Sequence, residues 1–334
     1  MNFRFTDDQL LFAQTVADIL ANECPASAVR DASEDETKSV PGLWDTLAAI
    51  GVVGMTAQES HAGLGMSDLD LVLLMEEFGA AACPEVVLEH TAVALPLIAE
   101  CGNGLQRERW LARAAAGDAR LSASLGSRFV VGAGQADALV LCNDDELHLV
   151  PVDAVRLEAR RSVDETRRLS AVEWEPAEGT LLTADAGAIE RARDRASVAA
   201  ASQCVGVAQH LLDATVEYVQ ERQQFGKPVG VNQAVKHHLA DVGKAVEFAR
   251  PMVHRAAWAL SVAAPDASEA ASMAKLLASE AVDLACRSAL QCHGAIAYTI
   301  EYDLQLWLKR GWALAAAWGD ANHHRNRIGL QLGI

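Results

Sequence analysis

The sequence predicts a mostly α-helical chain with a small β domain set between two helical parts. Helix-start signals and apolar residues at helical spacing fill the chain as far as Gly117. Short β-type runs replace them beyond that point, and an alanine-rich helical texture resumes at Ala186. The expected units are residues 1–117, an N-terminal helical domain; 118–184, a reduced middle β domain; and 185–334, a C-terminal helical bundle.

Thr6 is a favourable N-cap, Gln9 closes a capping box with it, and Phe5 is placed to staple against Leu10. Leu10, Leu11, Val16 and Leu20 mark the apolar face of the helix that follows. Ser67 with Asp70 forms a second start of the same kind. Pro41-Gly42, Gly51–Gly54 and Ala62–Gly65 punctuate these helices as turns. In the middle region Arg128–Val131, Ala138–Cys142, Leu147–Val152 and Ala171–Trp174 read as strands, with Asn143–Asp145 as a hairpin turn. The charged run Arg160–Arg168 reads as solvent-exposed. Past Ala186, the residues Val205, Ala208, Leu212, Thr215, Val216 and Val219 repeat at helical spacing up to a break at Gly226–Pro228. A long helix resumes over Gln233–Leu260. Pro251 predicts a kink or boundary within it, because proline lacks the N–H and its ring crowds the preceding turn. Pro265–Ser268 is a turn capped by Asp266 or Ser268. Ala270–Gln291 forms another helix and Leu304–Ala317 the last.

With 51% hydrophobic and 22% charged residues, the composition is that of a globular protein able to bury a core. A formal net charge of −17 argues against nucleic acid and against an anionic membrane surface as partners. An anionic ligand would have to find a local basic or dipolar pocket. No apolar stretch approaches the ~18 residues of a membrane span. The start, Met1–Asp8, lacks the basic and apolar segments of a secretory leader. The seven cysteines are odd in number and scattered, so the expectation is reduced thiols in the cytoplasm.

Several motifs now fall into a known order. The opening Phe5-Thr-Asp-Asp-Gln9 is one, and Trp44-x-x-Leu47-x-x-x-Gly51-Val-Val-Gly54 continues it through Glu59, Gly63-Leu-Gly65 and Glu76-Glu77. Arg222-x-Gln-Phe-Gly-Lys-Pro-Val229 follows, with Gln233 and Leu239-Ala-Asp241, and then Gln291-Cys-His-Gly294 with Tyr298 and Glu301-Tyr302. In order and spacing these resemble the acyl-CoA dehydrogenase family over nearly the whole chain. The resemblance implies a helical domain, a β domain and a C-terminal four-helix bundle, with FAD as cofactor and an acyl-CoA thioester as substrate. It also implies that Arg222, Gln224, Phe225, Gln233, Gln291 and Gly294 hold the ADP half of FAD across a subunit interface. Ala295 stands where the family has a second glycine. The chemistry suits that role, since a pyrophosphate needs a fixed cation and donors, which Arg222 and Gln224 offer. Phe225 offers an apolar surface and Gly226 a tight turn. Taken alone, the arginine string reads equally well as a helix end capped by Gly226. The Gln291 motif downstream tips the reading to cofactor binding.

The family's proton acceptor is a glutamate ahead of Gly-Thr near the C-terminus, and alignment from Gln291 places Trp318-Gly319-Asp320 there. An indole accepts no proton, so Trp318 is no general base. Some members carry the base on a helix before the arginine loop, and Ala196 aligns with that position. Asp194, Glu190, Glu301 and Asp320 are conceivable substitutes, although Glu190 and Asp194 alternate with arginines as a solvated helix face would. The family's flavin-facing strand motifs are not recognisable in Leu121–Ser127, so the resemblance offers no complete ring pocket. Incomplete members of this kind pair with a longer, catalytic sister in an α2β2 heterotetramer of steroid side-chain breakdown. The expected partners are that chain, an acyl-CoA at its site and an electron-transfer acceptor protein. A self-sufficient homo-oligomer with a relocated carboxylate, and a flavin-free helical scaffold, stay open as alternatives.

The remaining signals are weaker. His237-His238, His293 and His323-His324 lack a Glu-x-x-His companion and read as solvated or interface side chains, so no metal is expected. Trp307, Trp312 and Trp318 read as packing or interface anchors. Ser124 and Ser127 have no partnered His/Asp pattern. Lys309-Arg310 suits either a CoA phosphate or a solvated helix end.

Overall fold

The structure, a computed structural model, describes residues 4–35 and 39–333. Met1–Phe3, which entered the leader reading, lie outside the described residues. No helix among the described residues is long and apolar enough to cross a membrane.

The chain opens with α1 (Asp7–Glu23), α2 (Ala26–Glu34), α3 (Leu43–Ala49), α4 (Asp68–Ala80), α5 (Leu95–Cys101) and α6 (Gly104–Ala115). Both capping boxes form. Thr6 and Gln9 exchange bonds at the start of α1, and Ser67 and Asp70 do so at α4. The apolar face of α1 differs from expectation. Val16 and Leu20 are buried, but Leu10 and Leu11 face solvent, and Phe5 lies edge-on to His254 at 4.9 Å instead of stapling. Contact with a distant helix outbids the local staple there. A π-helical stretch, Leu88–Ala94, is wholly buried and feeds α5. Gly117 ends the helical part, where the Trp44 indole donates to its carbonyl at 3.0 Å.

The middle region forms two small sheets. One orders β1 (Leu121–Ser124), β3 (Ala138–Asn143), β4 (Glu146–Pro151) and β7 (Leu181–Thr183) side by side, and the other orders β2 (Phe129–Val131), β6 (Leu169–Glu173) and β5 (Arg156–Ala159). β1 and β3 run parallel, and the β3–β4 hairpin turns at Asp144, whose φ is +51°. The segment between β5 and β6 was expected in solvent. Instead Asp164 and Thr166 are buried, because a buried arginine from the C-terminal bundle reaches them.

The bundle comprises α7 (Ala186–Glu221), α8 (Gln233–Ser261), α9 (Ala267–His293) and α10 (Leu304–Ala316), with a two-stranded hairpin, β8 (Gln223–Gln224) and β9 (Lys227–Pro228), between α7 and α8. α8 runs unbroken through Pro251. Packing on α9 along its length outweighs the lost backbone bond. A further helix, α11 (Ala321–Leu332), follows α10; its sequence is too polar to show an apolar helical periodicity. Asp266 is at the N-cap of α9 but makes no side-chain capping bond. Alanines face inward along α7 and α9, so the helix axes approach closely. The tightest approach joins the N-terminal helices to the bundle. A Cβ on Gly79 of α4 would overlap the Gln203 carbonyl of α7, and one on Gly206 of α7 would overlap the Glu76 carbonyl of α4. Ser202 seals the crossing by donating to the Val72 carbonyl at 2.5 Å.

Backbone lies against backbone there, so no side chain can yield to make room. Gly206→Ala is therefore expected to destabilise the fold by about 1–3 kcal/mol, the usual penalty for overpacking. Chemical denaturation reads this directly, and a variant as stable as the parent would contradict the tight crossing.

Candidate functional site

Arg222 leaves the end of α7, where its N–H still bonds the Tyr218 carbonyl at 2.8 Å. The chain then doubles back at once. Gln224 pairs with Lys227 across β8 and β9, and Val229 N–H closes the base of the loop on the Arg222 carbonyl at 2.8 Å. The two central residues, Phe225 and Gly226, both have positive φ, +54° and +79°. That is the pattern of a tight two-residue hairpin, normally filled by Asn-Gly or Gly-Gly. A phenylalanine in the left-handed region is strained and uncommon. Moreover, its side chain is 99% exposed. Among the described residues nothing covers the ring in this position.

The second motif stands beside the first. α9 ends at His293, and Gly294 takes φ +69°, ψ −144°, a conformation held without strain only by glycine. A Cβ there would meet open space, so bare backbone faces outward. Tyr218 links the two motifs. Its ring stacks on His293 with centroids 4.2 Å apart, and its hydroxyl donates to the His293 carbonyl at 3.3 Å. The ends of α7 and α9 are thereby pinned together, with the arginine hairpin one turn beyond one and Gln291–Gly294 at the other.

Of the residues singled out from sequence, Arg222, Gln224, Phe225, Gln233, Gln291, Gly294 and Ala295 are all exposed. Gln233 is the first residue of α8. Among the described residues none of the side chains of Arg222, Gln224, Gln233 and Gln291 has a hydrogen-bond or ion-pair partner within the chain. A free guanidinium, free amides, a bare glycine turn and an unpacked ring suit a nucleotide's pyrophosphate and sugar. These residues fit the ADP half of FAD.

Trp318 lies after α10 with φ +56° and is half-buried against the core. Its carbonyl is held by the His324 ring Nε2–H at 3.0 Å and by the Ser197 hydroxyl at 3.2 Å. Burial lowers the His324 pKa to about 4, which leaves the ring neutral and fixed as a donor. Lys275, wholly buried on α9, reaches the same loop. Its Nζ donates to the carbonyls of Gly319 at 2.9 Å and Ala315 at 3.1 Å and to Ser279 Oγ at 2.8 Å. Burial also pulls the Lys275 pKa below its usual value. The loop is thus locked through its backbone, and the side chain it carries is an indole.

None of the conceivable substitute carboxylates is free near that loop. Asp320 caps α11 by accepting from His323 N–H at 2.7 Å. Glu301 is exposed beyond the far end of α10. Asp194 is not on a solvated face. It is buried and paired with Arg327 of α11 at 2.6 Å, and Arg327 also reaches Glu190. Burial raises the Asp194 pKa, with Arg327 opposing it. Ala196, at the alternate position, is buried.

Where the helical, β and bundle parts meet, the interior is ionic. Arg310 of α10 is no solvated helix end: it is buried, paired with Asp164, and donates to Thr166 Oγ1 at 2.8 Å and the Cys83 carbonyl at 2.7 Å. Burial opposes the Asp164 charge, yet Arg310 and Thr166 outweigh it and hold the carboxyl below its ordinary range. Glu89, from the π-helical stretch, lies 3.8 Å from Arg167 and is raised by burial. No sequence signal pointed to this cluster, because its members are scattered along the chain.

The histidine and tryptophan readings divide. His293 and His324 are buried rather than solvated, while His237, His238 and His323 are exposed. Among the described residues no group of His, Cys, Asp and Glu could hold a metal. Trp307 packs as expected: it stacks on His210 at 3.8 Å and donates to the Ala80 carbonyl at 2.7 Å.

The chain thus combines a helical part, two small sheets and a helical bundle that carries an arginine hairpin beside a glycine turn. Residues 6–118 match the acyl-CoA dehydrogenase N-terminal domain and residues 188–333 the acyl-CoA dehydrogenase C-terminal domain. The chain is 31% identical to acyl-CoA dehydrogenase IpdE2 of Mycolicibacterium smegmatis, over 97% of this chain and 98% of that protein. It is 32% identical to IpdE2 of Mycobacterium tuberculosis over 91% of each. Among solved structures, a variant of the Tcur3481-Tcur3483 steroid ACAD superposes with a TM-score of 0.90 at 25% identity, covering 98% of both chains. The ChsE4-ChsE5 complex from Mycobacterium tuberculosis shares the fold with a TM-score of 0.91 at 22% identity, over 100% of this chain and 99% of that one. The protein belongs to the acyl-CoA dehydrogenase family, whose members bind FAD.

Lys275→Met keeps the volume of the side chain but leaves the Gly319 carbonyl without its donor. A loss of about 1–3 kcal/mol is expected, the cost of an unsatisfied polar group. Urea denaturation of the variant checks it. Unchanged stability would mean that Lys275 does not hold the Trp318 loop.

Proposed function

We propose that this chain is the non-catalytic subunit of a flavin-dependent acyl-CoA dehydrogenase. A longer sister chain carries out the α,β-dehydrogenation, and this chain lends Arg222, Gln224, Phe225, Gln233, Gln291 and Gly294 to the ADP half of the sister's FAD. The single observation behind the reading is the hairpin: a strained aromatic tip beside an unpaired arginine, both pointing away from their own chain. When bound, FAD supplies the acceptor for the hydride that leaves the thioester's β-carbon. Arg222 would neutralise pyrophosphate charge within a chain of net charge −17, and the backbone at Gly294 would come close because no side chain intervenes. No proton-accepting role falls to Trp318, and Ala295 narrows the turn by one methyl group without blocking it.

A bulky steroid-CoA thioester as substrate is supported by the steroid ACAD among the structural relatives. The two-chain name of the Tcur3481-Tcur3483 steroid ACAD supports a heteromeric assembly; the proposal takes it as α2β2 and passes the electrons to an electron-transfer protein. A self-sufficient enzyme is disfavoured because the buried candidate acid, Asp194, is occupied by Arg327.

The test is co-expression with a longer sister chain of the same family, followed by flavin and turnover assays of the complex. Arg222→Ala is expected to weaken flavin retention about 10–100-fold, matching one or two lost charge-assisted bonds at ~1.5 kcal/mol each. Trp318→Phe should leave turnover close to that of the parent complex. Normal flavin retention by the arginine variant, or collapse of turnover in the tryptophan variant, would overturn the proposal.

A further inference from the structure

The segment from Gly294 to Asp303 joins the glycine turn to α10 and displays Ile296, Tyr298 and Ile300 to solvent. Ala297 seats its first half on the hydrophobic core, but Ile300 and Glu301 further along are exposed. Ile300 forms part of the wall of a cavity of about 340 Å³, which is also lined by Arg30, Ser33, Asp164, Gln305 and Lys309. Apolar packing therefore holds the Ala297 part, and the stretch from Ile300 to Asp303 depends on other ties. One tie is aromatic: Tyr302 stands 5.4 Å from the His293 ring and 6.2 Å from that of Tyr218. The other comes from the N-terminal domain. Arg30 of α2 pairs with Asp303 and donates from Nη1 to the Ile300 carbonyl at 3.0 Å and from Nη2 to the Glu301 carbonyl at 2.9 Å. Three acceptors within four consecutive residues are met by one guanidinium. Only a planar fork can do this, since a lysine ammonium is a single point donor.

We infer that Arg30 is a positioning residue for the cofactor grip, fixing from the N-terminal domain the loop that continues from Gln291–Gly294. The inference rests on the reading that this turn faces the partner's nucleotide. It assigns a share of that task to a helix of the N-terminal part, outside both Arg222–Val229 and Gln291–Gly294. Without Arg30 the loop above the cavity samples several arrangements, and binding weakens by the fraction of time the competent one is present. The pair is partly exposed, at 28% and 45% for its two side chains, so its contribution to global stability is small. The consequence is local order.

The experiment uses the co-expressed complex and follows FAD release by the recovery of flavin fluorescence on dilution. Arg30→Ala is expected to bind flavin about tenfold more weakly, so that release sets in at about tenfold lower dilution, corresponding to a loop that is competent about a tenth of the time. Assembly on a sizing column and the melting temperature at saturating FAD should match the parent. Arg30→Lys, able to meet Asp303 but not both carbonyls, should lie between, and Asp303→Asn should fall close to the lysine variant. Parent-like release in Arg30→Ala, while Arg222→Ala loses flavin, would overturn the inference and leave the proposed function standing. Parent-like release in both would overturn the two together. Should Arg30→Ala fail to assemble, parent-like release by both Arg30→Lys and Asp303→Asn would overturn the inference.

Discussion

Tyr218 lying flat against His293 is the contact on which the rest of the candidate site depends. It fixes the end of α7 to the end of α9, and each of those ends continues directly into one of the outward-facing motifs. The bundle behind them is rigid because alanine and glycine surfaces let α4, α7 and α9 approach closely. That rigidity carries the hairpin as a fixed projection rather than a floppy loop. A strained Phe225 at its tip makes physical sense only if something outside the chain covers it.

The interior gives a complementary picture. Where three structural parts converge, arginines and carboxylates are paired out of water. A buried pair of this kind adds little net stability, but losing one partner is costly, so such groups define a fixed geometry. Asp164 and Arg310 thereby tie the β domain to α10. At the other end of α10, Lys275, His324 and Ser197 hold the backbone around Trp318. The loop is well built, and the side chain it carries is an indole.

Much of this was legible in the sequence where the cause is local. Capping boxes at Thr6 and Ser67 are set by neighbours three residues apart, and both form. The glycine-containing break at Gly226 and the motif at Gln291 were visible as strings, but that Tyr218 brings them together was not. Legibility failed where the partner is remote. Asp164 looked solvated because Arg310 lies 146 residues away, and Asp194 looked solvated because Arg327 comes from a helix too polar to be noticed. β1, β5 and β7 were missed because their residues, such as Leu121-Ser-Ala-Ser124, carry little β-type signal and pair only in context. Leu10 and Leu11 mark the opposite error: apolar residues at helical spacing that the chain itself leaves uncovered.

The central claim is that the cofactor-facing groups of this chain serve a nucleotide whose flavin belongs to another chain. Flavin-to-protein stoichiometry tests it most directly, measured on the chain purified alone and on the complex with its longer sister. The account predicts no flavin on the isolated chain and one FAD for every two chains in the complex. One FAD per protomer on the isolated chain, with turnover of an acyl-CoA, would contradict it.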